Sequence, residues 1–148
     1  MPENMSITPW VQIAAFCQTT LQEANGAMSI IRLVDRHLVV GSTEEMQPTT
    51  VNLILIIVLK SGNMQGSATM TVAAVDPNGE GLPPLKIGVL FEGLERGPGL
   101  VTQIGLVVKD AGLYWFDVLI DGVLLTRIPL RILYQQAHQI VGGQHPTS

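Results

Sequence analysis

Gly112-Leu113-Tyr114-Trp115-Phe116-Asp117-Val118-Leu119-Ile120-Asp121-Gly122-Val123-Leu124-Leu125-Thr126-Arg127-Ile128-Pro129-Leu130 is the stretch whose pattern decides the fold. Tyr114, Phe116 and Val118 fall on one face of a strand, and Leu124, Thr126, Ile128, Leu130 and Ile132 on one face of the next. Asp121-Gly122 between them supplies residues that tolerate a positive φ where the chain must reverse. A two-residue loop would pair Val118 with Leu125 and set the two apolar faces on opposite sides. A three-residue loop, Ile120-Asp121-Gly122, pairs Val118 with Leu124 and Phe116 with Thr126, so the faces coincide. The expectation is therefore a type I turn with Gly122 left-handed in a G1 bulge.

The opposite face of this hairpin carries Leu113, Trp115, Leu119 and Leu125, interrupted by Asp117 and Arg127. The two charges are placed to form a cross-strand pair, worth about 0.2–1 kcal/mol if exposed. The face is more apolar than a solvated sheet face should be. Either a loop or the C-terminal tail covers it, or it is a subunit or partner interface, where tryptophan is enriched.

Outward from the hairpin, apolar segments recur between clusters of Gly, Pro, Asn and Asp, the spacing of an all-β sandwich or barrel. Strands are expected near 10–18, 28–40, 50–59, 68–75, 86–92, 100–108, 113–119 and 124–133. Turns fall at Asn25-Gly26, Ser61-Gly62-Asn63 and Asp76-Pro77-Asn78-Gly79. The first segment stays open between two readings, because Ile13, Phe16, Cys17 and Leu21 also fit helical spacing and Thr8-Pro9 resembles a helix start. The fold class expected is an all-β antiparallel sandwich, immunoglobulin-like or C2-like, of about seven to eight strands. It would occupy residues 10–137, after an N-terminal extension (1–9) and before a flexible tail (138–148).

Composition narrows the function classes. The chain has 148 residues, the length of one domain, of which 47% are hydrophobic and 14% charged. Disorder is excluded by that apolar content. Eight Lys plus Arg against twelve Asp plus Glu leave no basic surface for nucleic acid. A single cysteine permits neither an intramolecular disulfide nor a multi-cysteine zinc site. Typical soluble domains are about 25% charged, so a chain at 14% has apolar exterior to cover with a copy of itself, a partner or a lipid. The longest apolar run, Leu53 to Leu59, is far short of the roughly 20 residues a membrane helix needs. The first 31 residues contain no Lys or Arg, against a secretory signal, and Ala14-Ala15-Phe16-Cys17 is a poor lipoprotein site with bulky Phe16 before the cysteine. Cytoplasmic residence is expected.

The hairpin sequence, with Leu125-Thr126-Arg127-Ile128-Pro129-Leu130, resembles the closing hairpin of a family of small uncharacterised bacterial proteins. Segments similar to Ala15-Phe16-Cys17, Ser29-Ile30-Ile31-Arg32-Leu33-Val34-Asp35-Arg36, Asp76-Pro77-Asn78-Gly79 and Val89-Leu90-Phe91-Glu92-Gly93 extend the likeness over roughly residues 10 to 135. The resemblance implies a β-sandwich and a bacterial or phage-borne source. It implies no activity.

Catalytic motifs are absent from the sequence: no Gly-x-Ser-x-Gly elbow, no His-Glu-x-x-His, no phosphate loop. Gly97-Pro98-Gly99 lacks the following Lys-Ser or Lys-Thr and reads as a loop between strands. His138 and His145 fall in the expected tail, and a thiol–imidazole pair of Cys17 with His37 lacks an orienting third group. Asp76, Asn78 and Glu80 alternate as hard oxygen ligands do, a weak calcium alternative to a type I turn with Asp76 at its first position and Gly79 at its last. Arg32, Asp35 and Arg36 form a charged cluster most simply explained by solvent. No enzyme activity, cofactor or catalytic residue is expected. The functional expectation is a protein–protein interaction or structural module that self-associates or docks on a partner through Leu113, Trp115, Leu119 and Leu125. The alternative is a sandwich that binds a small apolar ligand or lipid.

Overall fold

The computed structural model describes residues 9–137. It is a two-sheet sandwich of nine strands: β1 (Trp10–Gln22), β2 (Met28–Val34), β3 (Arg36–Gly41), β4 (Thr49–Lys60), β5 (Gly62–Val75), β6 (Leu85–Leu94), β7 (Gly99–Val108), β8 (Gly112–Ile120) and β9 (Val123–Gln136). The first sheet runs β2-β1-β4-β7 and the second β3-β9-β8-β5-β6. The all-β expectation holds, and the first segment is a strand. Its helical spacing loses to pairing on both sides, with β2 through Phe16–Gln22 and with β4 through Trp10–Cys17. The expected extension before residue 9 and the tail bearing His138 and His145 lie outside the described residues.

The ninth strand comes from a break inside residues 28–40, which alternation alone presents as one strand. At Asp35 the chain leaves the first sheet and enters the second, where Arg36–Gly41 pairs with Arg131–Gln136 in parallel. The Asp35 carbonyl accepts from the Arg131 amide at 2.9 Å, pinning the crossing. All other strand pairs are antiparallel.

The β8–β9 hairpin corrects the expected turn. Asp121 (φ 46°) and Gly122 (φ 83°) are both left-handed, and Ile120 pairs with Val123, which makes a two-residue type I′ loop. The faces still coincide because the extra residue sits inside the strand. Leu119 pairs with Leu124 and Val118 with Thr126, leaving Leu125 as the bulged residue. Phe116 consequently faces Ile128, not Thr126.

Inward residues of both sheets form one core that includes Phe16, Leu55, Ile57, Phe91, Phe116 and Leu130. Phe16 and Phe116 meet edge to face across it, with ring centroids 4.8 Å apart. Tyr114, near the start of β8, is 1% exposed and donates its hydroxyl to the Asp110 carbonyl at 2.8 Å. This is the tyrosine corner of immunoglobulin-type sandwiches. Burial pushes its phenol above the usual pKa, aided by the nearby Asp110 and Asp76 charges and opposed by the backbone hydrogen bonds at Asp110 and Lys109.

Candidate interaction surfaces

Because side chains alternate along a strand, each sheet has an outward face opposite its core face. On the second sheet this face contains three of the four expected docking residues. Trp115 is 39% exposed, with half-buried Leu113 beside it and half-buried Leu119 beyond Asp117 on the same face. Leu125 is not with them. As the bulged residue it packs against the core, and Leu124, 48% exposed, takes the outward position beside Leu119. Alternation counted across Asp121-Gly122 could not reveal this, since a bulge resets the parity.

The same face is studded with charge. Arg127 donates to both carboxylate oxygens of Asp117, at 2.8 and 3.3 Å, directly across the ladder as the alternation predicts. Arg36, Lys86 and Arg131 occupy further outward positions by register.

The outward face of the first sheet is different. β4 reads Leu53-Ile54-Leu55-Ile56-Ile57-Val58-Leu59, with Leu53, Leu55, Ile57 and Leu59 in the core. Ile54, Ile56 and Val58 therefore point away from it. Register places Ile13, Ala15 and Cys17 of β1 beside them on one side, and Val101 and Gln103 of β7 on the other. Leu33 and Ile31 of β2 extend the row. Lys60, paired with Trp10 at one end, is the sole charged residue at an outward position of the sheet. An antiparallel sheet face left to water normally alternates with polar residues; here apolar residues occupy both faces of β4. The run 53–59 is too short to span a membrane as a helix. That same unbroken run is also the mark of a strand apolar on both faces.

Cys17 and Ile56 lie on this outward face and are nonetheless fully buried. Burial pushes the Cys17 thiol above its ordinary pKa, the opposite of what a nucleophile requires. Its ladder partners are Leu33 and Ile54, whereas His37 sits in β3 of the other sheet opposite Ile132, so the thiol–imidazole pair is not assembled.

The Asp76 loop is a turn. Gly79 donates to the Asp76 carbonyl at 3.0 Å, and Asp76 Oδ1 accepts from the amides of Asn78 and Glu80 at 2.9 and 2.8 Å. The Asn78 side chain is turned to Asp110 at 3.0 Å. Among the described residues no three His, Cys, Asp or Glu are grouped to hold a metal, and no helix is long and apolar enough to cross a membrane. The Asp35–Arg36 pair, 3.4 Å apart, is solvent-exposed. Gly97 is fixed by a close approach: a Cβ there would collide with the Leu59 carbonyl oxygen. The surrounding loop is tied down by Ser61, which is fully buried with its hydroxyl on the Arg96 carbonyl.

One cleft of about 490 Å³ opens between the sheets on the side where β6 and β7 are the outer strands. Val72, Ala74 and Phe116 form its floor, Leu82-Pro83-Pro84-Leu85 one wall and residues 103–107 of β7 the other. No lining residue is charged.

A family model described as "Family of unknown function (DUF6941)" matches residues 12–133. No curated protein matches the chain. Among solved structures, an immunoglobulin-like protein from Pseudomonas aeruginosa aligns with TM-score 0.41 and 10% identity, over 86% of this chain and 98% of that one. The alkylpurine DNA glycosylase AlkC from Pseudomonas fluorescens aligns with TM-score 0.39 and 14% identity, over 65% and 27%. A beta-glucosidase from Listeria innocua aligns with TM-score 0.39 and 12% identity, over 84% and 17%.

Proposed function

The chain belongs to the family of unknown function DUF6941, and we propose that it is a non-enzymatic interaction module that associates with a second copy of itself or a protein partner in a bacterial complex. The observation that carries this reading is the outward face of the first sheet, uncharged apart from Lys60 at one end. Exposed apolar area of that kind marks interaction sites in soluble proteins. A second copy suits it, because an uncharged face laid on its own like buries no unpaired charge, the usual penalty of a sheet–sheet contact. The Trp115 face, where Asp117, Arg127 and Arg131 surround the indole, supports docking less well, since those groups would have to be desolvated.

Size-exclusion chromatography with light scattering tests the reading. The expected mass is a multiple of the 16.0 kDa chain, lowered to that of one chain by Leu33→Glu or Val101→Glu. A wild-type protein that stays at one chain's mass at every concentration, alone and after purification from its host, overturns it.

A second reading, binding of a small apolar ligand, is favoured by the 490 Å³ cleft, whose size is within the range of ligand sites, about 300–1,000 Å³. Native mass spectrometry of the freshly purified protein tests it: a retained adduct supports it, and a bare chain counts against it.

A further inference from the structure

Four strands form the lateral edges of the two sheets: β2 and β7 in the first, β3 and β6 in the second. An edge strand offers a row of unpaired backbone N–H and C=O groups, and proteins that avoid pairing with strangers blunt it with charge, proline, bulges or shortness. Three of these edges are blunted. β3 has six residues and opens with Arg36-His37. β2 has seven and is interrupted by Arg32 at φ 57°. β6 carries Lys86 and Glu92, ends in the left-handed Gly93-Leu94, and faces an irregularity in its partner between Gly62 and Gln65.

β7 has none of these devices. Gly99–Val108 contains no charged residue, no proline and no left-handed residue. Its ladder with β4 runs without a shift from Gly99↔Val58 to Val108↔Thr49. No backbone hydrogen bond ties its other side to the described residues. The cleft opens directly beneath that free side, walled by residues 103–107 of the same strand.

We propose that the free edge of β7 and the cleft beneath it accept an extended peptide segment, uncharged and with apolar side chains at alternating positions, as a fifth strand of the first sheet. The backbone of the segment satisfies the open row on β7, and every second side chain descends onto Val72, Ala74 and Phe116. An acyl chain would fill the cleft but leave the backbone row unpaired. A second copy's β7 would pair with the row but could not fill the cleft, because its own inward residues, Ile104 and Leu106 among them, are held in its own sandwich. Only a segment outside any sandwich meets both demands. The inference deepens the interaction reading by giving it a partner class, at the edge of the sheet instead of its face.

Panning a phage-displayed library of alternating apolar–polar peptides on the full chain tests it, with enriched sequences then measured as synthetic peptides by fluorescence anisotropy. The expected result is saturable binding, with amide protection from hydrogen exchange gained along β7. Methylating alternate backbone nitrogens of the peptide preserves its apolarity and removes its donors, and should weaken binding by about tenfold or more. Ile104→Lys, which sets an ammonium in the cleft wall, should do the same. No enrichment over an Ile104→Lys bait overturns the proposal, as does equal binding of the methylated peptide, which would leave a small apolar ligand as the occupant. Leu33→Glu should leave peptide capture intact, so failure of the sheet-face reading and failure of this one are read separately.

Discussion

The two sheets enclose the same core, yet their outer faces obey different rules. On the second, apolar residues such as Trp115 and Leu133 are spaced by Asp117, Arg127 and Arg131, and strand against strand the charges pair or reach water. On the first, β4 is apolar at every position from Leu53 to Leu59. The register sets Ile13, Ala15 and Cys17 of β1 and Val101 of β7 beside it, with Gln103 the one polar but uncharged neighbour of that run's outward residues. A low overall charge fraction is thus not spread thinly over the molecule. One face carries nearly none of it.

The largest effect that would separate the faces is on stability. Ile56→Ala, although its side chain points away from the core, should cost about 2–5 kcal/mol in urea unfolding, as a buried residue does. Thr71→Ala, outward on the second sheet, should stay within about 0.5 kcal/mol. If the two cost the same, the asymmetry is cosmetic.

Next in size is assembly. Val101→Glu, at a position 44% exposed, should weaken self-association by about a hundredfold or more, the loss of a hot spot of roughly 2–3 kcal/mol, while Trp115→Ala leaves it unchanged. Light scattering over a concentration series measures both. Dissociation by Trp115→Ala or Leu119→Glu instead would move the interface to the charged face and invert the comparison.

How much of this contrast was written in the chain depends on which relation is asked for. Strand existence was legible because alternation is local, and Gly99–Val108 and Gly112–Ile120 lie within a residue or so of where the pattern puts them. But β5 starts at Gly62 and not near 68, and β1 runs on to Gln22 and not to 18, because the largely polar stretches 62–67 and 18–22 give no apolar alternation. The turn at Asp76 was legible too, since Pro77 presets its own φ and Gly79 admits a positive one (φ 85°). Neighbour relations were not. Nothing local says that 28–40 breaks at Asp35 to serve two sheets, or that the bulge at Leu125 swaps it with Leu124. Those outcomes are set by partners far away in sequence, and the candidate face depended on them. Trp115 is legible because one large residue among charged neighbours marks its own face. Ile54, Ile56 and Val58 are not, because a continuous apolar run declares no preferred side.

A smaller test concerns the charges that distinguish the second face. Arg127→Ala should cost about 0.2–1 kcal/mol by way of the Asp117 pair, half-removed from solvent, and the loss should shrink in high salt. Insensitivity to salt would mean that the pair contributes packing only.

The smallest effect is on pH dependence, and each sheet supplies one group. Cys17 in the first and Tyr114 in the second both have folded pKa values above their ordinary ones because burial disfavours the anion. Above pH about 9 for the thiol and about 10 for the phenol, the unfolded chain loses protons that the folded one retains, so stability falls as pH rises. Cys17→Ala should remove the lower part of that decline and Tyr114→Phe the upper, as measured by thermal melts between neutral and alkaline pH. A flat profile in the wild type would contradict both assignments.

The parallel ladder between β3 and β9 joins residues about 95 positions apart, Arg36 with Arg131 at its first rung. During translation at roughly 5–20 residues per second, the earlier strand must wait several seconds for its mate to be made. Over that interval the half-finished polypeptide on the ribosome holds Leu38 and Val40 without a neighbour. The early β1–β2 hairpin, by contrast, can close as soon as it emerges. Slowing elongation before β9 should therefore raise the fraction captured by chaperones.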